Sequence, residues 1–227
     1  VALSHLIRIT SPCPPPKAGS STIPMRNFNA LTLARETTWS TVQVIDTSVT
    51  GDGKLVEQEI GGKPTLVAEG TVPTSSAFVI TADPTDRKIT ALKISAPLPT
   101  EDIGKAHVGF VLSTIKLQKI SADGTATDVP FAMAAASFTR GGIDIANVFN
   151  DGGNGWYLYP HQFNPQFLSA ALQTPIELTD GETLRITFRH RRGTERSDAN
   201  TKRFRIETSG DERWTGQAST EERNAIQ

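Results

Sequence analysis

Residues 108–120 read V-G-F-V-L-S-T-I-K-L-Q-K-I. Side chains alternate between apolar and polar over the whole stretch, the two-residue period of a strand with one buried face. Apolar Phe110 and Leu112 lie in one phase and Ile115 and Leu117 in the other. The single break near Ser113 predicts a β-bulge, where one extra residue lets the strand change its facing. Asp123-Gly124 follows as a turn.

Working outward, the same grammar recurs. Trp39–Ile45 alternates, and Leu55–Ile60 and Thr65–Ala68 flank Gly61-Gly62, a hairpin signal. Phe78–Thr81, Ile89–Ile94, Phe131–Phe138, Pro175–Leu178, Leu184–His190 and Phe204–Thr208 read as strands, and Leu31–Ala34 as a further short one. About ten short strands between turn signals predict an all-β fold, an antiparallel β-sandwich or jelly roll. Helical periodicity is weak. Its best instance is Ser219–Gln227, where Ser219 or Thr220 can cap and Glu222 sits in the first turn.

The organisation read from this is an N-terminal strand and Pro-rich arm over 1–25, a sandwich over 26–210, and a linker or helix start over 211–227. The arm holds five prolines between Ser11 and Pro24 and reads as extended chain. A chain of 227 residues can bury about 70% of its unfolded surface, so neither disulfide nor metal is needed for folding. Apolar residues make up 37% and charged residues 21%, a globular composition. Lys and Arg number 23 against 24 Asp and Glu, which gives no global pull toward nucleic acid or an anionic membrane. No apolar run approaches the roughly 20 residues of a spanning helix. Cys13 is alone and can form no internal disulfide. Val1 in place of an initiator Met points to a processed chain or an excised fragment.

Phosphate-binding, dinucleotide-binding, nucleophile-elbow, HExxH and CxxC signatures are all missing from the sequence. His5, His107, His161 and His190 are scattered without ligand spacing and read as surface or strand residues. The most informative stretch is Asp144–Gln162. Asn147, Asn150, Asp151 and Asn154 lie among three glycines, the donor types a hard cation such as calcium takes. The competing reading is a set of Asx turns bonding their own backbone. Trp156, Tyr157, Tyr159 and His161 follow directly. Alternation puts Trp156 and Leu158 on a core face and Tyr157 and Tyr159 on the other, where aromatic rings could stack on sugar rings. A second feature is basic, from Arg185 to Arg205. Arg185, Thr187 and Arg189 form the outer face of a half-buried strand, and Arg191, Arg192 and Arg196 lie in the loop after it. Arginine forks suit carboxylate, sulfate or phosphate. Aromatics are not interleaved with them, which argues against nucleic acid.

The stretch Ile89–Leu117 (ITALKISAPLPTEDIGKAHVGFVLSTIKL) resembles a module of large planctomycete-type cytochrome c proteins, where an "ITALRLEALPD" strand leads to a "GNFVLSEFEV" strand. Gly109–Leu117 stands in the second position, with Val108 near the place of its Asn. Trp39-Ser40-Thr41-Val42 resembles the module's "W-x-V-L" opening. Ile145–Asn150 through Gly155-Trp156 resembles "ANAIDGNPxTGW", one residue shorter and with Asn150 in place of Asp. Thr201–Ile206 resembles "LGRFRLSVT". That module is similar in turn to discoidin-type, galactose-binding-like jelly rolls. The resemblance spans about residues 37–208. It implies a structural calcium at Asp151 and Asn150 and glycan binding by nearby loops. It implies no haem in this chain, because C-x-x-C-H is absent.

The expectation is a non-catalytic, extracytoplasmic accessory module that binds polysaccharide, anionic ones included. Tyr157, Tyr159, His161 and Arg191 are its ligand residues and calcium its possible cofactor. One alternative is a structural domain packing against other domains or subunits of a larger, cytochrome-containing assembly. Another is a jelly-roll polysaccharide-active enzyme, for which His161 with Tyr159 is the local pair on offer.

Overall fold

The computed structural model describes residues 25–73, 75–150, 155–190 and 200–215, with side chains from Ala30 onward. One α-helix, α1 (Met25–Glu36), precedes the strands. These are β1 (Ser40–Thr41), β2 (Gln43–Val49), β3 (Lys54–Ile60), β4 (Lys63–Glu69), β5 (Ala77–Asp83), β6 (Lys88–Ala96), β7 (His107–Val108) and β8 (Val111–Leu112). They continue with β9 (Thr114–Ile120), β10 (Ala126–Asp128), β11 (Phe131–Ala136), β12 (Trp156–Tyr157), β13 (His161–Gln162), β14 (Gln166–Glu177), β15 (Thr183–Arg189) and β16 (Arg203–Ser209).

Two antiparallel sheets make the body. One runs β11-β14-β6-β16-β4-β3, with β1 also paired to β16, and the other runs β10-β9-β15-β5-β2. Their inner faces meet across an aromatic contact. Phe188 of the five-stranded sheet packs on Phe204 of the seven-stranded sheet at 5.0 Å between ring centroids, and Phe78 lies 6.1 Å from the same ring. All three are fully buried. This is an all-β sandwich, with the alternating rows Leu184-Ile186-Phe188 and Phe78-Ile80-Ala82 turned inward.

The sequence signals map closely onto this frame. Gly61 and Gly62 both take positive φ, 59° and 70°, and join β3 to β4 with Ile60 opposite Lys63. That is the geometry of a two-residue hairpin whose twist matches its strands. The phase break at Ser113 is the point where the chain leaves one partner for another. Before it, β8 pairs with β12; after it, β9 pairs with β15. Ser113 itself donates its N–H to the Arg189 carbonyl at 2.9 Å.

One expectation is corrected. Leu31–Ala34 belongs to helix α1 and not to a strand. Four apolar-rich residues (LTLA) fit either period, and the contacts decide between them. Ala30, Leu33 and Ala34 are buried at helical spacing, and Leu33 and Ala34 pack on Ala91, Ala171 and Trp214 on the outer face of the seven-stranded sheet. Packing also continues past residue 210 to the fully buried Trp214. The expected arm over 1–24 and the expected helix at 219–227 lie outside the described residues. Among the described residues, no helix is long and apolar enough to cross a membrane.

Candidate functional site

One end of the sandwich is closed by two short ribbons, β8 with β12 and β7 with β13. Their backbones approach so closely that only glycine fits at two points. A Cβ on Gly109 would stand 2.2 Å from the Leu158 carbonyl oxygen, and one on Gly155 would stand 2.5 Å from that of Leu112. Behind the ribbons, Trp156 and Leu158 are buried, and the Phe110 ring meets Trp156 edge-on at 5.0 Å. The Trp156 indole N–H donates to the Phe138 carbonyl at 2.9 Å, which fixes the 138–142 turn beside the ribbon.

This anchoring creates a cleft of about 310 Å³ lined by Phe138, Arg140, His161, Phe163, Asn164 and Gln166, with Leu158 and Gln162 behind. Phe138 and Phe163 are 50% and 47% exposed. Among the described residues they are the two aromatic rings in the set of exposed large apolar side chains. The His161 ring lies 6.0 Å from that of Phe163. Arg140 is held by its own backbone N–H on the Tyr157 carbonyl (2.8 Å) and by its guanidinium on the Tyr159 carbonyl (3.3 Å). Gln162 is buried, and its amide donates to the Ala96 and Asn164 carbonyls at 2.8 and 3.1 Å, tying the cleft floor to the sheet. No carboxylate lines this cleft among the described residues.

The expected site residues separate. His161 lines the cleft. Tyr157 and Tyr159 are half-buried, on the face opposite Trp156 as alternation requires, and what reaches the cleft's Arg140 is their backbone carbonyls. The ring contact of His161 is to Phe163, not to Tyr159. Arg191 and Asp151 lie outside the described residues. Asn150 is exposed, some distance along the chain from the cleft, beside a different groove along the five-stranded sheet. In the loop before it, Asp144 caps a turn of 3₁₀ helix, Ile145–Phe149, by accepting the Ala146 N–H at 3.0 Å. Asn150 donates its N–H to the Asn147 carbonyl at 3.0 Å. The first is the bond of an Asx turn, and the second is a backbone turn bond that involves no side chain. The carboxylate of Asp144 is thus already engaged, and among the described residues no three His, Cys, Asp or Glu side chains converge as metal ligands would.

Phe138, Arg140, Phe163, Asn164 and Gln166 escaped the sequence reading. The strand expected over Phe131–Phe138 ends at Ala136, and Phe138 stands on the turn leading to Gly141-Gly142, both at positive φ. An aromatic residue placed just before a Gly-Gly turn was the available signal. Comparison with known proteins finds no matching family model, no matching curated protein and no matching solved structure.

Proposed function

We propose that this chain is a non-catalytic, carbohydrate-binding module of the galactose-binding-like jelly-roll kind, with its binding site in the end cleft. The observation that carries this reading is the pair of half-exposed phenylalanine rings, Phe138 and Phe163, on a cleft whose polar groups are a guanidinium, an imidazole and amides. Sugar rings offer apolar C–H faces to the former and hydroxyls to the latter, and shallow polar-aromatic concavities divide the work in this way. The motif resemblance supports the same reading, and with it goes an extracytoplasmic setting, where polysaccharide is met. A structural calcium at Asp151 and Asn150 belongs to this reading only as what the motif resemblance implies.

Such a single site binds at micromolar to millimolar Kd, about −8 to −4 kcal/mol. Calorimetric titration against a panel of oligosaccharides is expected to give binding that Phe138→Ala and Phe163→Ala each weaken strongly, with the melting temperature little changed because both rings are exposed. Absence of binding across the panel, or full binding in both variants, would overturn the reading.

Packing against other domains or subunits is the second reading. It is favoured by Ile103, 50% exposed on the turn before β7, and by Val108 of β7, 47% exposed. Its mark would be concentration-dependent association that Val108→Lys abolishes, with no response to sugar.

A further inference from the structure

The end cleft holds one fixed positive charge with no carboxylate against it. Arg140 lines the cleft and is exposed, and its guanidinium makes one bond, from Nη1 to the Tyr159 carbonyl at 3.3 Å. Among the described residues it forms no ion pair. Two other arginines are handled differently: Arg87 meets Asp83 at 2.8 Å, and Arg213 meets Asp211 at 2.7 Å and Glu36 at 3.3 Å. A neutral carbonyl orients Arg140 without cancelling its charge, and the N–H groups of Nε and Nη2 remain to donate. Gln166 adds a donor. Its amide oxygen accepts the Ser137 hydroxyl at 2.6 Å, which leaves its NH2 group for the cleft. The adjoining turn, joined to the cleft by the Gly104 N–H on the Phe163 carbonyl at 2.8 Å, carries Glu101 and Asp102. Neither lines the cleft, and Asp102 is held by Lys105 at 3.0 Å and by His107 at 3.4 Å.

We propose that the cleft selects anionic sugars, with a carboxylate or a sulfate ester on the Arg140 guanidinium and the apolar face of the sugar ring against Phe138 and Phe163. This rests on the cleft being the sugar site proposed above, and it adds the class of sugar and the residue that chooses it. An ionised acid group only accepts, so it matches a guanidinium and an amide NH2 at once, whereas a hydroxyl in the same place gives up the charge-assisted part of the bond. The planar guanidinium fork favours two parallel bonds to one anion. A bare anion meets the charge but leaves both phenylalanine rings in water, so the site favours a charged sugar over an inorganic ion.

Calorimetric titrations with two matched pairs test it: trigalacturonate with its methyl ester, and a sulfated galactan oligosaccharide with its desulfated form. Each pair differs in the anionic group alone. At least one acid is expected to bind about tenfold more tightly than its neutral partner at low salt, with inorganic sulfate a poor competitor. Which pair shows the preference separates carboxylate from sulfate. Arg140→Gln is expected to bring acid and neutral partner to within about twofold of each other. Lys105→Gln, on the adjoining turn, is expected to keep the preference, and Phe163→Ala to weaken both members of each pair. Equal binding of acid and neutral partner by the unaltered chain, a preference that survives Arg140→Gln, or one that Lys105→Gln removes equally would each overturn the proposal while the cleft stays a sugar site. No binding of any of these saccharides would overturn the proposal and the sugar reading together. Should Arg140→Gln lose its fold, the Arg140 Nε–H resonance of the unaltered chain decides instead: a shift with the acid and not with its neutral partner upholds the site, and an equal shift with both, or none, refutes it.

Discussion

His190 shows how a residue type associated with chemistry becomes structural. It follows β15 and is buried, with its ring 4.6 Å from that of Phe78. Nε2 accepts the Thr201 backbone N–H at 3.2 Å, which leaves Nδ1 to carry the proton toward the Ser76 hydroxyl at 3.3 Å. Burial disfavours the charged form, and the nearby Lys202 adds to this, so its pKa falls from 6.5 to about 4. The unfolded chain binds a proton near pH 6.5 and the folded one does not until about pH 4. Stability from this group is therefore complete above pH 6.5 and is lost as pH falls toward 4, about 3 kcal/mol in all. Urea midpoints measured from pH 7 to 4.5 are expected to fall along this course, and His190→Gln is expected to flatten the slope. A variant with the unaltered slope would show that other groups set it. The two-residue period of Leu184, Ile186 and Phe188 already carries His190 to the buried face, whereas His161 is exposed on the cleft.

At the scale of elements, helix α1 and Trp214 form one unit, Thr37 at the helix end and Trp214 being 177 positions apart in the chain. Ala91 and Ala171 are direct partners on β6 and β14, and two alanines side by side leave a shallow seat on the outer face of the sheet. Leu33, Ala34 and Trp214 fill that seat. The end of the helix is closed by side chains: the Thr37 hydroxyl donates to the Leu33 carbonyl at 2.7 Å and the Trp39 indole to the Ala34 carbonyl at 2.8 Å. The Trp214 indole N–H then donates to the Thr37 hydroxyl at 3.0 Å, and its ring meets Trp39 at 5.7 Å. Trp214→Ala removes a buried ring and this bond together, and is expected to cost about 3–5 kcal/mol by urea denaturation. A cost under 1 kcal/mol would mean that the helix is held without it. This unit was also the part hardest to read from sequence. Alternating strands such as Leu184–His190 announce themselves because one face is wet. Of β14, the longest strand, only the end at Pro175–Glu177 is legible, because Leu168-Ser169-Ala170-Ala171-Leu172 is buried on both faces, by the core on one side and by α1 and Trp214 on the other. Its small side chains are chosen to seat a helix, and they carry no period of two. The cleft was partly legible for a related reason. Trp156-Tyr157-Leu158-Tyr159 alternates and so revealed its core face, whereas Phe138 and Phe163 come from separate turns that only the fold brings together.

For the whole molecule, the arrangement of the core decides whether binding sites and stability can be altered independently. The principal apolar cluster is continuous. It includes Phe78, Ile186 and Phe188 of one sheet, Leu92, Phe204 and Ile206 of the other, and Phe110, Leu112, Trp156 and Leu158 beneath the end cleft. The ribbons that carry the cleft therefore share their apolar support with both sheets and have no separate core on which to unfold alone. The proposed cleft meets this cluster at Leu158, which lines the one and belongs to the other. Unfolding is thus expected to be one cooperative transition. Far-ultraviolet circular dichroism reports the sheets, and tryptophan fluorescence reports Trp156 under the cleft together with Trp39 and Trp214 on the opposite cover. The two curves are expected to coincide, and Phe204→Ala, which opens the aromatic contact between the sheets, is expected to shift both together by about 3–5 kcal/mol. Fluorescence melting ahead of circular dichroism would show that the cleft end or the helix cover is a separate unit. The stability of the binding surface would then be set by its own small contacts and not by the sandwich beneath it.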